Sequence, residues 1–130
     1  MRIIALDIGD KRTGVAVSDE SEFLASEYGI IDTVNLTSKL KVLIKELECK
    51  QLVIGLPLAM SGNDSEQTRK VRTFARKLSE DLDIPHTFID ERLTTSMTKN
   101  LPGGKENKDS LAAKIILQIY LDKSRLWPNT

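Results

Sequence analysis

Arg2-Ile3-Ile4-Ala5-Leu6-Asp7-Ile8-Gly9-Asp10-Lys11-Arg12-Thr13-Gly14-Val15-Ala16-Val17-Ser18-Asp19 decides how the rest of the chain is read. The apolar run Ile3 to Leu6 predicts a strand buried on both faces. It runs directly into a carboxylate, Asp7, and Gly9 then supplies a turn that a side chain would obstruct. Thr13 to Ser18 predicts a second strand. A carboxylate at the end of a central strand stands where open α/β sheets place their ligands, outside the carboxyl ends of the strands. An alternative reading has Asp7 only starting a turn, by accepting from nearby backbone N–H groups.

Working outward, Ser21 to Thr33 carries Phe23, Leu24, Tyr28, Ile30 and Ile31 and predicts a third strand. Three strands with short links favour an antiparallel meander. The period then changes. Leu36, Leu40, Leu43, Ile44 and Leu47 share one helical face, with Asn35 as the expected N-cap. Gln51 to Gly55 predicts a short buried strand, and a helical crossover before it implies parallel pairing with the first strand. Gly55 to Asp64 is a loop, punctuated by Pro57 and Gly62, with Asn63 or Asp64 as the expected cap of the next helix and Glu66 in its first turn.

Val71, Phe74, Ala75, Leu78 and Leu82 give that helix its core stripe, and it ends before Pro85. Its other face carries Arg69, Lys70, Arg72, Arg76 and Lys77, which is read as a solvated face. His86 to Ile89 predicts a fifth strand ending in Asp90 and Glu91; His86, at the opposite end from these acids, is read as structural. Arg92 to Asn100 is short and polar and is expected as a turn of helix, and Leu101 to Lys108 carries Pro-Gly-Gly and reads as a loop, expected to be mobile. The last helix is expected from Asp109, largely buried, with Trp127 in the tail folding back over it. One domain over residues 1–130 is expected, an α/β fold with a central mixed five-stranded sheet flanked by helices.

Composition narrows the class. At 40% hydrophobic and 29% charged, the chain is that of an ordinary globular protein. Lys+Arg and Asp+Glu are equal at 19 each, so any electrostatic argument must be local. Lys11, Arg12, Lys105 and Lys108 flank the acids at the predicted strand and helix ends. Cys49 is the one cysteine, which excludes an internal disulfide and reads as a small apolar core residue near the end of the first helix. No apolar run approaches the roughly 18 residues of a membrane helix, and no signal-peptide pattern opens the chain, so a cytoplasmic location with no membrane partner is expected.

Three acids stand out by position: Asp7 after the first strand, Glu91 after the fifth, and Asp109 opening the last helix. If the first, fourth and fifth strands are parallel neighbours, Asp7 and Glu91 end on the same edge. Converging carboxylates repel and raise each other's pKa unless a cation lies between them. Oxygen-only ligands suit Mg²⁺ or Mn²⁺, and two such ions can hold and hydrolyse a phosphodiester. Structural alternatives stand beside this: Asp109 as a helix cap, Glu91 paired with Arg92, or an acidic strand end serving a bound nucleotide.

Asp7 to Asp19, Val53-Ile54-Gly55-Leu56-Pro57, Asp90-Glu91-Arg92-Leu93-Thr94-Thr95 and Asp109 to Leu117 together resemble the YqgF family, also called RuvX. Four motifs in the family's order span almost the whole chain. The resemblance implies a ribonuclease H-like fold similar to the RuvC Holliday junction resolvase. It implies a hydrolase acting on ester bonds: a pre-16S rRNA nuclease that matures the 5′ end of the small-subunit RNA during ribosome biogenesis. It places the catalytic and metal-binding acids at Asp7, Glu91 and Asp109, with Mg²⁺ or Mn²⁺ in a two-metal arrangement. Lys11, Arg12, Pro57 and Arg92 are expected, by our own inference, to contact the nucleic acid. The sequence departs from the family pattern at Asp10, where Thr or Ser is expected, and in a short segment between Thr95 and Asp109, which bears on substrate choice.

The expected partner is structured RNA, with ribosome-assembly or transcription machinery nearby and the chain acting as a monomer or weak homodimer. The alternatives are a Holliday junction resolvase-like endonuclease on branched DNA, which the fold does not separate from the first, and a non-catalytic nucleic-acid-binding module. An actin-like nucleotide-binding domain stands third, since that class needs a second, similar domain to close over its nucleotide.

Overall fold

The computed structural model describes residues 1–93 and 105–126, with the side chains of 105–109 excepted. Five strands form one sheet: β1 (Arg2–Ile8), β2 (Arg12–Ser18), β3 (Ala25–Asp32), β4 (Cys49–Leu56) and β5 (His86–Asp90). Their spatial order is β3-β2-β1-β4-β5. The first three pair antiparallel, while β1–β4 and β4–β5 pair parallel. This is the expected meander plus two parallel strands. Helices α1 (Leu36–Leu47), α2 (Glu66–Leu82) and α3 (Lys105–Leu126) complete the fold.

The all-apolar character of β1 has a direct cause. Ile4 and Leu6 point to one face of the sheet, where they meet Leu36, Leu40 and Leu43 of α1 and Val71, Ala75 and Leu78 of α2. Ile3 and Ala5 point to the other, against Ala113, Ile116, Leu117 and Leu121 of α3. A strand covered on both sides has no solvent face to make polar. At its start the Ile3 N–H donates to Ser18 Oγ at 2.9 Å, which satisfies a buried amide. No described helix is long and apolar enough to cross a membrane.

Several local expectations shift. The third strand begins at Ala25, after a turn in which Asp19 Oδ1 accepts from the Phe23 and Leu24 N–H groups at 2.8 and 3.0 Å. Asn35 precedes α1 without a side-chain cap, because a 3₁₀ turn (Thr33–Asn35) leads into the helix. Cys49 is buried as expected, but it opens β4 rather than closing α1. Ser65, not Asn63 or Asp64, caps α2, in a reciprocal box with Thr68. Asp64 is drawn instead to Arg72 Nε at 2.9 Å. Helix α3 begins at Lys105, one turn before Asp109. Lys105, Glu106 and Lys108 are good helix formers, so this charged run, expected as loop, joins the helix. From Ser110 to Asp122 no residue of α3 is fully exposed, in line with the expected burial. The 95–104 segment and Trp127 lie outside the described residues.

Candidate active site

Asp7 continues the face of β1 that carries Ile3 and Ala5, because side chains alternate along a strand. Val53 and Ile89 lie on that same face of β4 and β5. Two residues further on, the same alternation places Gly55 and Glu91 beside Asp7. The register puts Leu6 level with Ile54, and Gly55 level with Ile89. The Glu91 N–H donates to the Leu56 carbonyl at 3.0 Å, which carries the ladder one residue past β5 and fixes Glu91 at the edge.

The two carboxyl groups meet there. Burial first, then a hydrogen bond with Glu91 and repulsion from its charge, push the Asp7 carboxyl up from 3.8 to about 9. Two acids sharing a hydrogen bond need a proton or a cation between them. The donor set is all oxygen and half-buried, which fits a hard divalent ion. Among the described residues no third His, Cys, Asp or Glu joins them. Asp109 belongs to α3, and its neighbour Ser110 donates to Glu27 Oε1 of β3 at 2.7 Å; the Asp109 side chain lies outside the described residues.

Gly55 received no role from the sequence, yet it makes the room. A Cβ there would stand 2.5 Å from Ile116 Cδ1 and 3.6 Å from the Glu91 carboxyl carbon. A glycine inside an otherwise apolar strand was the available signal.

The other expected contacts surround this edge. Lys11 is exposed at the β1–β2 turn, and its carbonyl accepts from the Thr33 N–H at 2.8 Å. Arg12 is half-buried at the start of β2, and its carbonyl accepts from the Gly9 N–H at 3.0 Å. That closure leaves no space at Gly9, where a Cβ would lie 2.5 Å from the same carbonyl oxygen. Pro57 follows β4, and its carbonyl accepts from the Thr68 hydroxyl, which ties the loop to α2. Arg92 is engaged: its guanidinium clasps Asp90, Nη2 to Oδ2 2.6 Å, and Nη1 donates to the Met60 carbonyl at 3.2 Å. The pairing of Arg92 with Glu91 that the sequence left open thus goes to Asp90. That contact holds the Asp90 carboxyl below its ordinary value.

A family model described as RuvX: Holliday junction resolvase matches residues 1–123. The chain belongs to the RuvX family. A relative from Roseiflexus sp. (strain RS-1), named "Putative pre-16S rRNA nuclease", is 39% identical over 135 residues, covering 95% of this chain and 96% of its own. A relative of the same name from Sulfurihydrogenibium sp. (strain YO3AOP1) is 41% identical over 131 residues, covering 94% and 90%. Among solved structures, T. thermophilus RuvC in complex with a Holliday junction substrate superposes with a TM-score of 0.62, covering 97% of this chain and 96% of that one. At 10% identity that likeness establishes the ribonuclease H-like fold of this RuvX chain and nothing finer.

Proposed function

We propose that this RuvX protein is a metal-dependent endonuclease, a single cytoplasmic domain that hydrolyses a phosphodiester of structured RNA in 5′-end maturation of 16S rRNA. The observation that carries the reading is the Asp7–Glu91 pair, two hydrogen-bonded carboxyls at the carboxyl ends of parallel strands. The names of the relatives point to the substrate.

Asp7, Glu91 and Asp109 would hold Mg²⁺ or Mn²⁺. Bound there, the cation supplies Lewis acidity that makes water a nucleophile near neutral pH and offsets charge on the departing oxygen. The chain's own groups do the rest. Asp7 and Glu91 are fixed by strand pairing, so their oxygens are positioned before substrate arrives. Lys11 and Arg12, at the same edge, contact phosphates flanking the scissile one. The Pro57 loop lines the groove, and Arg92 braces that loop through Met60. One water is consumed and one P–O bond breaks, which leaves a phosphomonoester end and a hydroxyl end.

A second reading, cleavage of branched DNA, is favoured by the description of the matching family. A cleavage assay at low salt with Mg²⁺ or Mn²⁺ tests both, using a precursor 16S rRNA 5′ fragment and a four-way DNA junction, with Asp7→Asn as control. Metal-dependent cutting of the RNA that Asp7→Asn abolishes supports the proposal. Preference for the junction selects the second reading, and binding without cutting of either overturns both.

A further inference from the structure

Residues 69–77 contain five cations and no acid in a chain whose total charge is zero. They are Arg69, Lys70, Arg72, Arg76 and Lys77, and all are exposed on α2. At 100° per residue they fall within one arc of the helix, opposite Val71, Ala75 and Leu78, which are buried against the sheet. Arg72 is occupied by Asp64 and stacks 5.5 Å from the Phe88 ring. Arg69, Lys70, Arg76 and Lys77 make no ion pair among the described residues. Glu66 and Glu80 bracket the row on the same arc of the helix, and between them the five cations stand without an intervening acid, so like charges crowd at i, i+3 and i, i+4 spacing.

Two shallow grooves flank this row, and both contain aromatic carbon between the cations. Arg69, Lys70 and Lys77 line one together with Phe74 and a single acid, Glu66. Arg69, Arg72 and Arg76 line the other together with Phe88. The row also reaches the strand-end edge: Lys70 lines a small cleft with Gly9 and Asp10 of the β1–β2 turn. From Arg69 to Lys77 the helix axis rises about 12 Å, long enough for the cations to meet more than one phosphate of a single strand.

We propose that the outward face of α2 is a second phosphate-binding track for RNA, on the side of the sheet away from Asp7 and Glu91. RNA that leaves the acid edge passes the Gly9–Asp10 turn and lies along Arg69, Arg76 and Lys77. The face carries Thr73 and cationic heads rather than large apolar side chains, which favours a phosphate backbone over a lipid surface. The inference rests on the nucleic-acid reading above but not on catalysis.

The test compares Arg69→Gln/Arg76→Gln/Lys77→Gln with Lys39→Gln/Lys41→Gln/Lys45→Gln on α1, which removes the same charge from exposed positions elsewhere. Binding of a 30-nucleotide RNA is measured by fluorescence anisotropy in EDTA over a range of KCl, with circular dichroism to check folding. The α2 variant should bind about tenfold or more weakly, and its log–log salt slope should fall by about 2, from three lost contacts at about 0.7 each. The α1 variant should bind like the wild type. Equal losses in both variants, or none in either, overturn the proposal, as does a wild type that binds phosphatidylglycerol vesicles but not RNA. If the α2 effect is found while wild type and Asp7→Asn both fail to cut, the track stands and the nuclease reading falls. If cutting depends on Asp7 while the α2 variant binds normally, the reverse holds.

Discussion

Arg92 closes on Asp90 across a single residue, with Nη2 2.6 Å from Oδ2 and the Arg92 N–H 3.0 Å from Oδ1. The residue between them, Glu91, therefore leaves the strand on the opposite side, towards Asp7. The clasp also reaches the β4–α2 loop through the Met60 carbonyl. Arg92→Gln should free both ends, so that hydrogen exchange at residues 58–64 rises several-fold. Arg92→Lys should not restore protection, because an ammonium lacks the planar fork that spans both partners. Unchanged exchange in the two variants would remove the bracing role assigned to Arg92.

Asp7→Asn keeps the size of the side chain and its ability to hydrogen-bond Glu91. We expect metal-dependent cleavage to fall on the order of 10²-fold or more. The midpoint of thermal unfolding without metal should hold or rise, since the substitution removes a buried, repelled carboxyl. Gel assays and melting curves on one preparation check both halves. A destabilised variant would show that Asp7 serves the fold.

The same carboxyl makes metal-free stability depend on pH. Its folded pKa is about 9, against 3.8 as the ordinary value. Between those values the folded chain keeps a proton that the unfolded chain has shed, so stability falls as pH rises. The contribution is fully present below about pH 4 and lost on passing about pH 9. Asp19 and Asp90, whose pKa values are lowered, act in the opposite sense and only at the acidic end. Urea denaturation in EDTA at several pH values should show the decline, and Asp7→Asn should flatten it. Equal slopes in the two proteins would place the titration elsewhere.

Gly55→Ala should crowd Ile116 Cδ1, which would lie 2.5 Å from the new methyl group. Overpacking of this kind costs about 1–3 kcal/mol, and it should shift Glu91, whose carboxyl carbon is 3.6 Å away. Ile116→Val deletes that Cδ1. The double variant should therefore be more stable than Gly55→Ala alone, a non-additivity readable by denaturation. Additive losses would show that the strand, rather than the helix above it, fails to accommodate the methyl group.

The meander and the β1–β4 pairing were legible because two periods and the linker lengths constrain them, whereas the place of β5 beside β4 stood only as a condition until the structure met it. Short links after β1 and β2 force a meander, and the helical stretches Leu36–Leu47 and Glu66–Leu82 return the chain for parallel pairing. Asp7 and Glu91 could be singled out for the same reason, as each follows an apolar run, one in the central strand β1 and one in the edge strand β5. Cap identity was less legible. Asn63, Asp64 and Ser65 are all good caps, and the choice of Ser65 came from Thr68 three residues on and from Arg72 claiming Asp64.

The sequence by itself determined the five strands, the first two helices, the antiparallel meander, the parallel pairing of β4 with β1, and that carboxylates follow β1 and β5, because these follow from local period and chain connectivity. Only the tertiary structure decided that Gly55 leaves space for Glu91 beneath Ile116, that Arg92 takes Asp90, and that the cations of α2 gather on the far side of the sheet from the acids. Those outcomes depend on distances between residues remote in the chain. Packing and charge complementarity set such distances, and neither leaves a periodic trace in the sequence.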